Sequence, residues 1–264
     1  MGKKADRIWA IKGTKDILSD QSSLWIYLEN YIHNYFSQFG YKEIRTPTFE
    51  NTELFLRSIG NNTDIVSKEM YSWIDQGGNS LTLRPEFTAS VVRSYIQHQL
   101  GKQNKSYKLY YLGSSFRRER PQKGRFREFK QFGIEAIGSG FPEQDAEIIS
   151  MVYFLYTSLK IKGLVLKINS IGSKESRDIY KKELQNYFNK YKDKLTKTSL
   201  KRLAENPLRI LDTKIDFEIK LVKNAPKIID YLTKDDKEHF KKVLDILDNL
   251  NIPYSIDHFL VRGL

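Results

Sequence analysis

The sequence predicts an α+β fold in which an antiparallel sheet is flanked by helices. Two alternating runs, residues 107–115 and 126–137, stand on either side of one polar loop, which is the pattern of two strands joined by a hairpin connection. Helical patterns precede and follow this pair and do not alternate strictly with single strands. The order of elements therefore favours an antiparallel sheet with helical cover over a doubly wound parallel sheet.

Composition limits the class of protein. The chain has 264 residues, a formal net charge of +12 and no cysteine, which excludes disulfides, thiolate zinc sites and cysteine nucleophiles. No apolar run approaches the roughly 20 residues of a membrane helix, and the amino terminus lacks the apolar core of a signal peptide. We expect a soluble cytoplasmic protein without a membrane partner, and the basic pI permits contact with nucleic acid.

The first elements lead towards the predicted hairpin. Apolar residues recur at helical spacing over residues 24–39, and Gly40 follows as a stop signal before an extended segment at 42–49. A short strand at 81–84 meets Pro85, which we expect at the first helical position, so that Glu86 and Thr88 lie in the first turn of a helix.

The hairpin has the most informative chemistry in the chain. On its second strand, alternation places Gln131, Gly133 and Glu135 on one face, so a carboxylate and an amide point the same way. Residues 101–130 contain ten Lys or Arg against two Glu, a local net charge of +8. An arginine-rich loop beside a polar strand face is suited to binding a nucleotide, although such a turn can also be solvent-facing.

Four segments follow the hairpin. We predict a helix at 143–159, a strand at 164–169, a mostly helical and lysine-rich region, and a strand at 256–264. The predicted domains are a core at 1–171, a helical insertion at 172–250 and a strand returning to the core at 251–264. Within 181–202, eight basic residues stand against two acidic ones, which suits either a phosphate-binding surface or a solvated helix face.

Several motifs resemble one enzyme family. FRRERPQKGRFREFKQFGIE at 116–135 resembles the second signature motif of class II aminoacyl-tRNA synthetases, in the version found in histidyl-tRNA synthetases. IKGTKDIL near the start, LTLRPEFTASVVR at 81–93 and FLVRGL at the end agree with that family, and GYKEIRTPTF at 40–49 resembles its dimer-forming motif one. The Asp-Tyr-Tyr that continues FLVRGL in the family and motif three are not in this sequence, so we expect a partial catalytic region of low activity by itself.

The resemblance implies roles for individual residues. It gives ATP contacts to Arg117 (carboxylate and α-phosphate), Glu119 (adenine amino group), Arg125 (γ-phosphate) and Phe129 (adenine stacking). For the substrate histidine, it implies that Glu135 contacts the imidazole and that Glu86, Thr88 and Gln131 contact the α-amino group. It implies that Arg117 and Arg262 contact the carboxylate, and these two arginines are the expected catalytic residues. From the residues alone, the structural alternatives are an ion pair of Arg117 with Glu119 and a salt bridge of Glu135 at a strand edge.

The function implied by the resemblance is histidine–tRNA ligation. The enzyme would use ATP with Mg²⁺ to form histidyl-adenylate, transfer the histidine to tRNA(His) and work as a homodimer, with no metal held by protein side chains. Two other interpretations are a synthetase-like regulatory subunit of histidine biosynthesis that binds histidine without charging tRNA, and a non-enzymatic RNA-binding fragment. The complete arginine-rich loop favours the synthetase, because a histidine sensor has no use for an ATP clamp.

Overall fold

A computed structural model describes residues 7–59, 69–120 and 122–261 of the chain. Its contacts divide the protein into two compact units, Met1–Ser139 and Gly140–Leu264. The domain bounds at 171 and 250 expected from composition remain a prediction. None of the helices in the described ranges is long and apolar enough to cross a bilayer.

The first unit contains a long amino-terminal helix and two small sheets. In chain order its described elements are α1 (Ser19–Gln38), β1 (Lys42–Glu43), β2 (Phe49–Asn51), α2 (Thr52–Ile59), β3 (Ser72–Ile74), β4 (Ser80–Leu83), α3 (Thr88–Gln97), α4 (Leu100–Gln103), β5 (Tyr107–Phe116) and β6 (Glu128–Ile137). The single extended segment expected at 42–49 is thus two short strands, each paired with a different sheet.

The central element of this unit is the hairpin β5–β6. The two strands pair antiparallel over their full length, with Tyr111 opposite Gly133 and Leu109 opposite Glu135. The short strand β1 pairs with β5 in parallel, which local alternation cannot reveal. The second sheet, in the order β2-β4-β3, is antiparallel. The antiparallel sheets with helical cover confirm the predicted fold class.

Helix α1 covers one face of the hairpin. Phe36, which is fully buried, packs against Tyr110 of β5 and Phe132 of β6, with ring centroids 5.4 and 5.8 Å away. His33, one turn earlier, is hydrogen-bonded through Nδ1 to the Tyr110 hydroxyl at 2.9 Å. Gly40 has a φ of +77°, and its lack of a side chain lets the chain turn sharply after the helix. This packing leaves the opposite face of β5–β6 for the site.

The second unit is mostly helical. Its described elements are α5 (Pro142–Ser158), β7 (Leu166–Ile168), α6 (Lys174–Asn189), α7 (Lys197–Glu205), α8 (Asp216–Lys223), α9 (Lys234–Asn249) and β8 (Tyr254–Ile256), with short 3₁₀ turns between several of the helices. The apolar stripe Tyr180, Leu184 and Phe188 of α6 is buried in its core, as the spacing predicts.

Two features of the second unit differ from the sequence-based expectation. Strand β8 pairs in parallel with β7, Leu166 opposite Tyr254, and it ends at Ile256, the first residue of the strand that we predicted at 256–264. The lysine-rich stretch around Lys190 and Lys194 lies between α6 and α7 and contains a 3₁₀ turn, so it is a connection and not one continuous helix. The main-chain groups of these short elements are satisfied by caps such as Ser173 and Thr196.

Candidate active site

The face of the hairpin turned away from α1 presents the predicted polar residues together. Because alternate residues of a strand point to the same side, Gln131, Gly133 and Glu135 share this face, as the sequence predicts. They lie opposite Gly113, Tyr111 and Leu109 of β5. Phe129 and Ser115 continue the face towards the loop. The result is a strip that runs from a carboxylate at one end to an aromatic ring at the other.

Glu135 contacts the start of helix α3. The hydroxyl of Thr88, the first residue of α3, donates a hydrogen bond of 2.7 Å to Glu135 Oε1. Glu135 therefore takes part in a side-chain hydrogen bond, and among the residues that the structure describes no salt bridge to it is formed. The contact brings together two residues that the resemblance assigns to the same substrate.

Glu86 stands just before helix α3. We expected it in the first helical turn, but the helix begins at Thr88, and the Glu86 carboxylate accepts hydrogen bonds of 2.6 and 2.9 Å from the backbone N–H groups of Thr88 and Ala89. The prediction of helix from Pro85 onward was wrong because Glu86 satisfies the first free N–H groups from outside the helix. A negative charge here also complements the helix dipole.

Burial shifts the pKa values of the ionisable groups on this face of the hairpin. Burial raises the pKa of the Glu135 carboxyl, the hydrogen bond from Thr88 opposes that rise, and the charge of Glu86 adds to it. Burial likewise raises the pKa of Tyr111 to about 12, with the nearby charge of Glu135 as the next cause. Such shifted groups in one small region are typical of a functional site.

Sequence reasoning missed Tyr111. Its side chain is 4% exposed, it stacks on Phe87 at 4.3 Å between centroids, and the neighbouring polar side chains of Thr88 and Gln131 oppose the rise of its pKa. The alternation of 107–115 puts Tyr111 on the same face as the residues opposite it, but this signal becomes informative only when the strand register is known. Gly133 lies directly beneath the ring, where a Cβ atom would overlap Tyr111.

Arg117 and Phe129 lie at the loop end of the face. The Arg117 guanidinium is 5.2 Å from the centroid of the Phe129 ring, and its Nε donates a hydrogen bond of 2.9 Å to the carbonyl oxygen of Pro85. Arg117 is thus held by a ring and a backbone carbonyl, and the ion pair with Glu119 that we considered is not formed. The remaining N–H groups of a guanidinium can bind two oxygens at once.

The loop residues Glu119 and Arg125 pair with each other. Arg125 NH1 lies 3.3 Å from Glu119 Oε2, and the arginine side chain is 63% exposed. The resemblance assigns both residues to ATP, so nucleotide binding would separate this pair. Such an exposed pair contributes little to stability, about 1 kcal/mol or less, and can be broken at small cost.

The last predicted site residue, Arg262, lies outside the described residues. A search of the described ranges finds no group of three or more His, Cys, Asp or Glu that could hold a metal ion. A cavity of about 310 Å³ lies on the α1 side of the hairpin, lined by residues that include His33, Arg45 and Lys130, and none of the predicted site residues lines it. We therefore place the site on the face that carries Glu135, where the polar groups converge.

Comparison with known proteins assigns the family. Residues 13–264 match the sequence profile described as histidyl-tRNA synthetase. The chain belongs to the histidyl-tRNA synthetase family. It is 53% identical over 254 residues to the histidine–tRNA ligase of Staphylococcus epidermidis, and the aligned region covers 96% of this chain and 60% of that protein. For the histidine–tRNA ligase of Ruthia magnifica the identity is 49% over 258 residues, or 98% of this chain and 61% of the relative.

Solved structures of histidyl-tRNA synthetases have the same fold. The apo histidyl-tRNA synthetase of Staphylococcus aureus superposes with a TM-score of 0.80 at 40% identity, over 98% of this chain and 59% of that one. A Bacillus halodurans structure described as an ATP phosphoribosyltransferase regulatory subunit/histidyl-tRNA synthetase superposes with a TM-score of 0.61 at 19% identity, over 95% of this chain and 68% of that one. At this identity the superposition shows a shared fold alone. The chain spans about 60% of the length of the curated relatives that it matches.

Proposed function

We propose that this chain is part of the catalytic region of a histidine–tRNA ligase. The observation that carries the proposal is that residues assigned to the amino acid and residues assigned to the nucleotide lie on or beside one face of β5–β6. Glu135 and Thr88 are hydrogen-bonded at one end, and Arg117 lies over Phe129 at the other. A substrate carboxylate bound between them would lie beside the α-phosphate of an ATP whose adenine occupies the loop end.

Activation of histidine requires positioning and charge stabilisation. The histidine carboxylate attacks the α-phosphorus of ATP, pyrophosphate leaves, and the mixed anhydride histidyl-adenylate remains. Arg117 binds an oxygen of the carboxylate and one of the α-phosphate, and Arg262 adds a second positive charge. Phe129 stacks on adenine, Glu119 accepts from its amino group, and Arg125 meets the γ-phosphate. Mg²⁺ would enter with ATP and neutralise part of the phosphate charge.

Recognition of histidine rests on hydrogen-bond acceptors. An imidazole N–H donates to the carboxylate of Glu135, and the α-ammonium group, which only donates, is held by oxygens of Glu86, Thr88 and Gln131. All four residues lie in the first unit on or beside the hairpin face. A site of this kind can reject analogues that lack the matching group by about 10⁴.

The second step and the assembly belong to the same proposal. A terminal ribose hydroxyl of tRNA(His) attacks the acyl carbon of the adenylate, AMP leaves, and the histidine becomes an ester. The basic connection around Lys190 and Lys194 is suited to a phosphate backbone. We further propose a cytoplasmic homodimer built on α1 and the strands after it. The histidine-binding regulatory subunit is less favoured, because the relatives of about 50% identity are histidine–tRNA ligases.

The test is histidine-dependent exchange of pyrophosphate into ATP, measured on the complete gene product. We expect exchange with histidine and none with other amino acids. Arg117→Ala should lower the exchange rate by about 100-fold or more, and Arg117→Lys should recover little because the planar fork is lost. Arg118→Ala, a neighbouring change that removes the same charge, is the control. Near-normal exchange in Arg117→Lys would show that the two-oxygen role is wrong, and histidine binding without any exchange would favour the regulatory subunit.

A further inference from the structure

Arg84 is a buried arginine, directly after β4, whose side chain binds the backbone of two other segments. The residue is 7% exposed. Its Nε donates a hydrogen bond of 2.8 Å to the carbonyl oxygen of Ser114 in β5, and its Nη1 donates to those of Thr46 and Pro47, between β1 and β2, at 2.8 and 3.2 Å. The acceptors are uncharged backbone groups that approach from two segments, an arrangement that uses the planar fork of a guanidinium.

One face of the Arg84 guanidinium lies on a column of two aromatic rings. Its central carbon is 4.0 Å from the centroid of the Phe87 ring, which stacks on Tyr111 with an interplanar angle of 8°. Tyr111 lies over Gly133, and a Cβ atom at Gly113 would come within 2.9 Å of Arg84 Nη2 and 3.0 Å of the Phe87 ring. The column of guanidinium and rings is therefore packed closely against the backbone of both hairpin strands.

Phe87 connects this column to the residues assigned to histidine. It is the residue from which α3 starts, and its carbonyl oxygen accepts from the N–H of Val91 at 3.0 Å. Glu86 precedes it and accepts from the N–H of Thr88, which follows it. The Thr88 hydroxyl donates to Glu135. A shift of the Phe87 ring would therefore displace the start of α3, and with it both flanking residues, relative to Glu135.

The backbone of Arg84 is held independently of its side chain. Its N–H donates to the carbonyl oxygen of Thr48 at 2.9 Å, and its own carbonyl oxygen accepts from the N–H of Phe116 at 3.0 Å. The next residue, Pro85, accepts the hydrogen bond from Arg117. A change confined to the Arg84 side chain should thus leave Arg117 and the nucleotide end of the face in place and act through the column.

We propose that Arg84 is a positioning residue for the amino-acid substrate and acts through the ring of Phe87. The ring in turn fixes Glu86 and Thr88, so the inference rests on the proposed function. The guanidinium is both a planar surface for the ring and a donor to three carbonyl oxygens. A lysine keeps the charge and a donor but has no planar face, so it cannot hold the ring in the same way.

Arg84→Lys and Arg93→Lys form a matched pair for the experiment. Arg93 lies on α3 and pairs with Glu50 of β2, so it also ties α3 to neighbouring backbone, but outside the column. In the complete gene product, we expect Arg84→Lys to raise the Kd and KM for histidine about tenfold, while the KM for ATP and kcat change by less than about threefold. Arg93→Lys should leave both KM values within about threefold of wild type. Thermal unfolding checks that both variants fold.

The possible outcomes are separable. Three results overturn the positioning role while the proposed function stands: unchanged histidine affinity in Arg84→Lys, an equal rise in its KM for ATP and histidine, or an equal loss of histidine affinity in Arg93→Lys. Failure of the wild-type protein to bind histidine overturns the proposed function and this inference with it.

A second variant covers the case in which Arg84→Lys does not fold. Phe87→Leu keeps an apolar side chain and the three hydrogen bonds of Arg84, but it removes the ring of the column. It should raise the KM for histidine about threefold or more and leave the KM for ATP unchanged. An unchanged KM for histidine in Phe87→Leu overturns the inference.

Discussion

Glu135, which we propose binds the substrate imidazole, carries a cost to stability. Its pKa is raised, first by burial, so the folded protein holds a proton there more strongly than the unfolded chain does. A carboxyl with a raised pKa favours folding below its unfolded pKa, and that contribution is lost as the pH rises through the folded pKa. At neutral pH the ionised Glu135 therefore disfavours the unliganded fold, and histidine binding would compensate for this.

We predict that Glu135→Gln weakens histidine binding by about tenfold or more and slightly stabilises the unliganded protein at pH 7. The amide can still accept from Thr88 but carries no charge and offers one acceptor where the carboxylate has two. The gain in melting temperature should shrink towards pH 4, where the carboxyl becomes protonated. Calorimetry and thermal unfolding at both pH values measure this. Equal histidine affinity in the variant would remove Glu135 from the pocket.

At the scale of elements, the amino termini of α6 and α9 meet at one carboxylate. Asp236 accepts from the hydroxyls of Ser173 and Ser176 and from the backbone N–H of Ser173, and the Thr233 cap of α9 adjoins it. Burial raises the pKa of Asp236, but the hydrogen bonds lower it by more than burial raises it, so the pKa lies well below its usual range. A depressed carboxyl pKa contributes stability that is present above the unfolded pKa and is lost as the pH falls towards the folded pKa.

We predict that Asp236→Asn lowers the free energy of unfolding of this unit by about 2 kcal/mol at pH 7. The amide has one acceptor oxygen where the carboxylate has two, and three donors converge on it, so at least one of these donors loses its partner. Asp235→Asn, an exposed neighbour in the same helical turn, is the control and should be nearly neutral. The difference between the two variants should decrease below pH 4, and a difference that is independent of pH would contradict the charged network.

Three exposed lysines, Lys190, Lys192 and Lys194, lie in the connection between α6 and α7, and a fourth, Lys197, is the first residue of α7. We predict that replacing all four by Gln weakens binding of tRNA(His) about tenfold and flattens its dependence on salt, because fewer counterions are released. Histidine activation should be unchanged. The matched control replaces the exposed Lys234, Lys237, Lys241 and Lys242 of α9, which removes the same charge. If tRNA affinity depends on salt concentration equally in the wild type and in the first variant, these lysines do not contact the phosphate backbone and are only solvated.

At the scale of the whole molecule, the first unit leaves large apolar side chains exposed. On α1, Leu24, Ile26 and Tyr27 are 58–69% exposed, and Phe49 of β2 and Trp73 of β3 pack together while remaining partly exposed. Large apolar side chains that remain exposed are typical of a protein–protein interface. They lie in and beside the segment that resembles the dimer-forming motif.

We predict that this 264-residue chain forms a dimer in solution at micromolar concentration. Leu24→Glu together with Ile26→Glu should shift it towards monomer, because burying two carboxylates opposes association. Val165→Glu, which changes an equally exposed apolar residue of the second unit, should have no effect. Sedimentation velocity measures all three forms. A monomeric wild type, or dissociation caused equally by both changes, would contradict an interface on α1.

The sequence by itself determined whatever depends on local backbone geometry. Strand alternation predicts that Gln131 and Glu135 share a face, helical spacing predicts α1, and the arginine-rich motif of 116–135 identifies the family whose profile the chain matches. These features follow from a period of two or of 3.6 residues, or from a contiguous motif, and need no knowledge of distant partners.

Only the tertiary structure decided which groups meet. The Thr88–Glu135 hydrogen bond joins residues 47 positions apart, β1 pairs in parallel with β5, and Arg117 binds a backbone carbonyl and a ring in preference to Glu119. Tyr111 acquires its position only from the register that sets it over Gly133. A side chain's partners depend on which segments approach each other on folding. That approach is set by the burial of the whole apolar surface, and no local period encodes it.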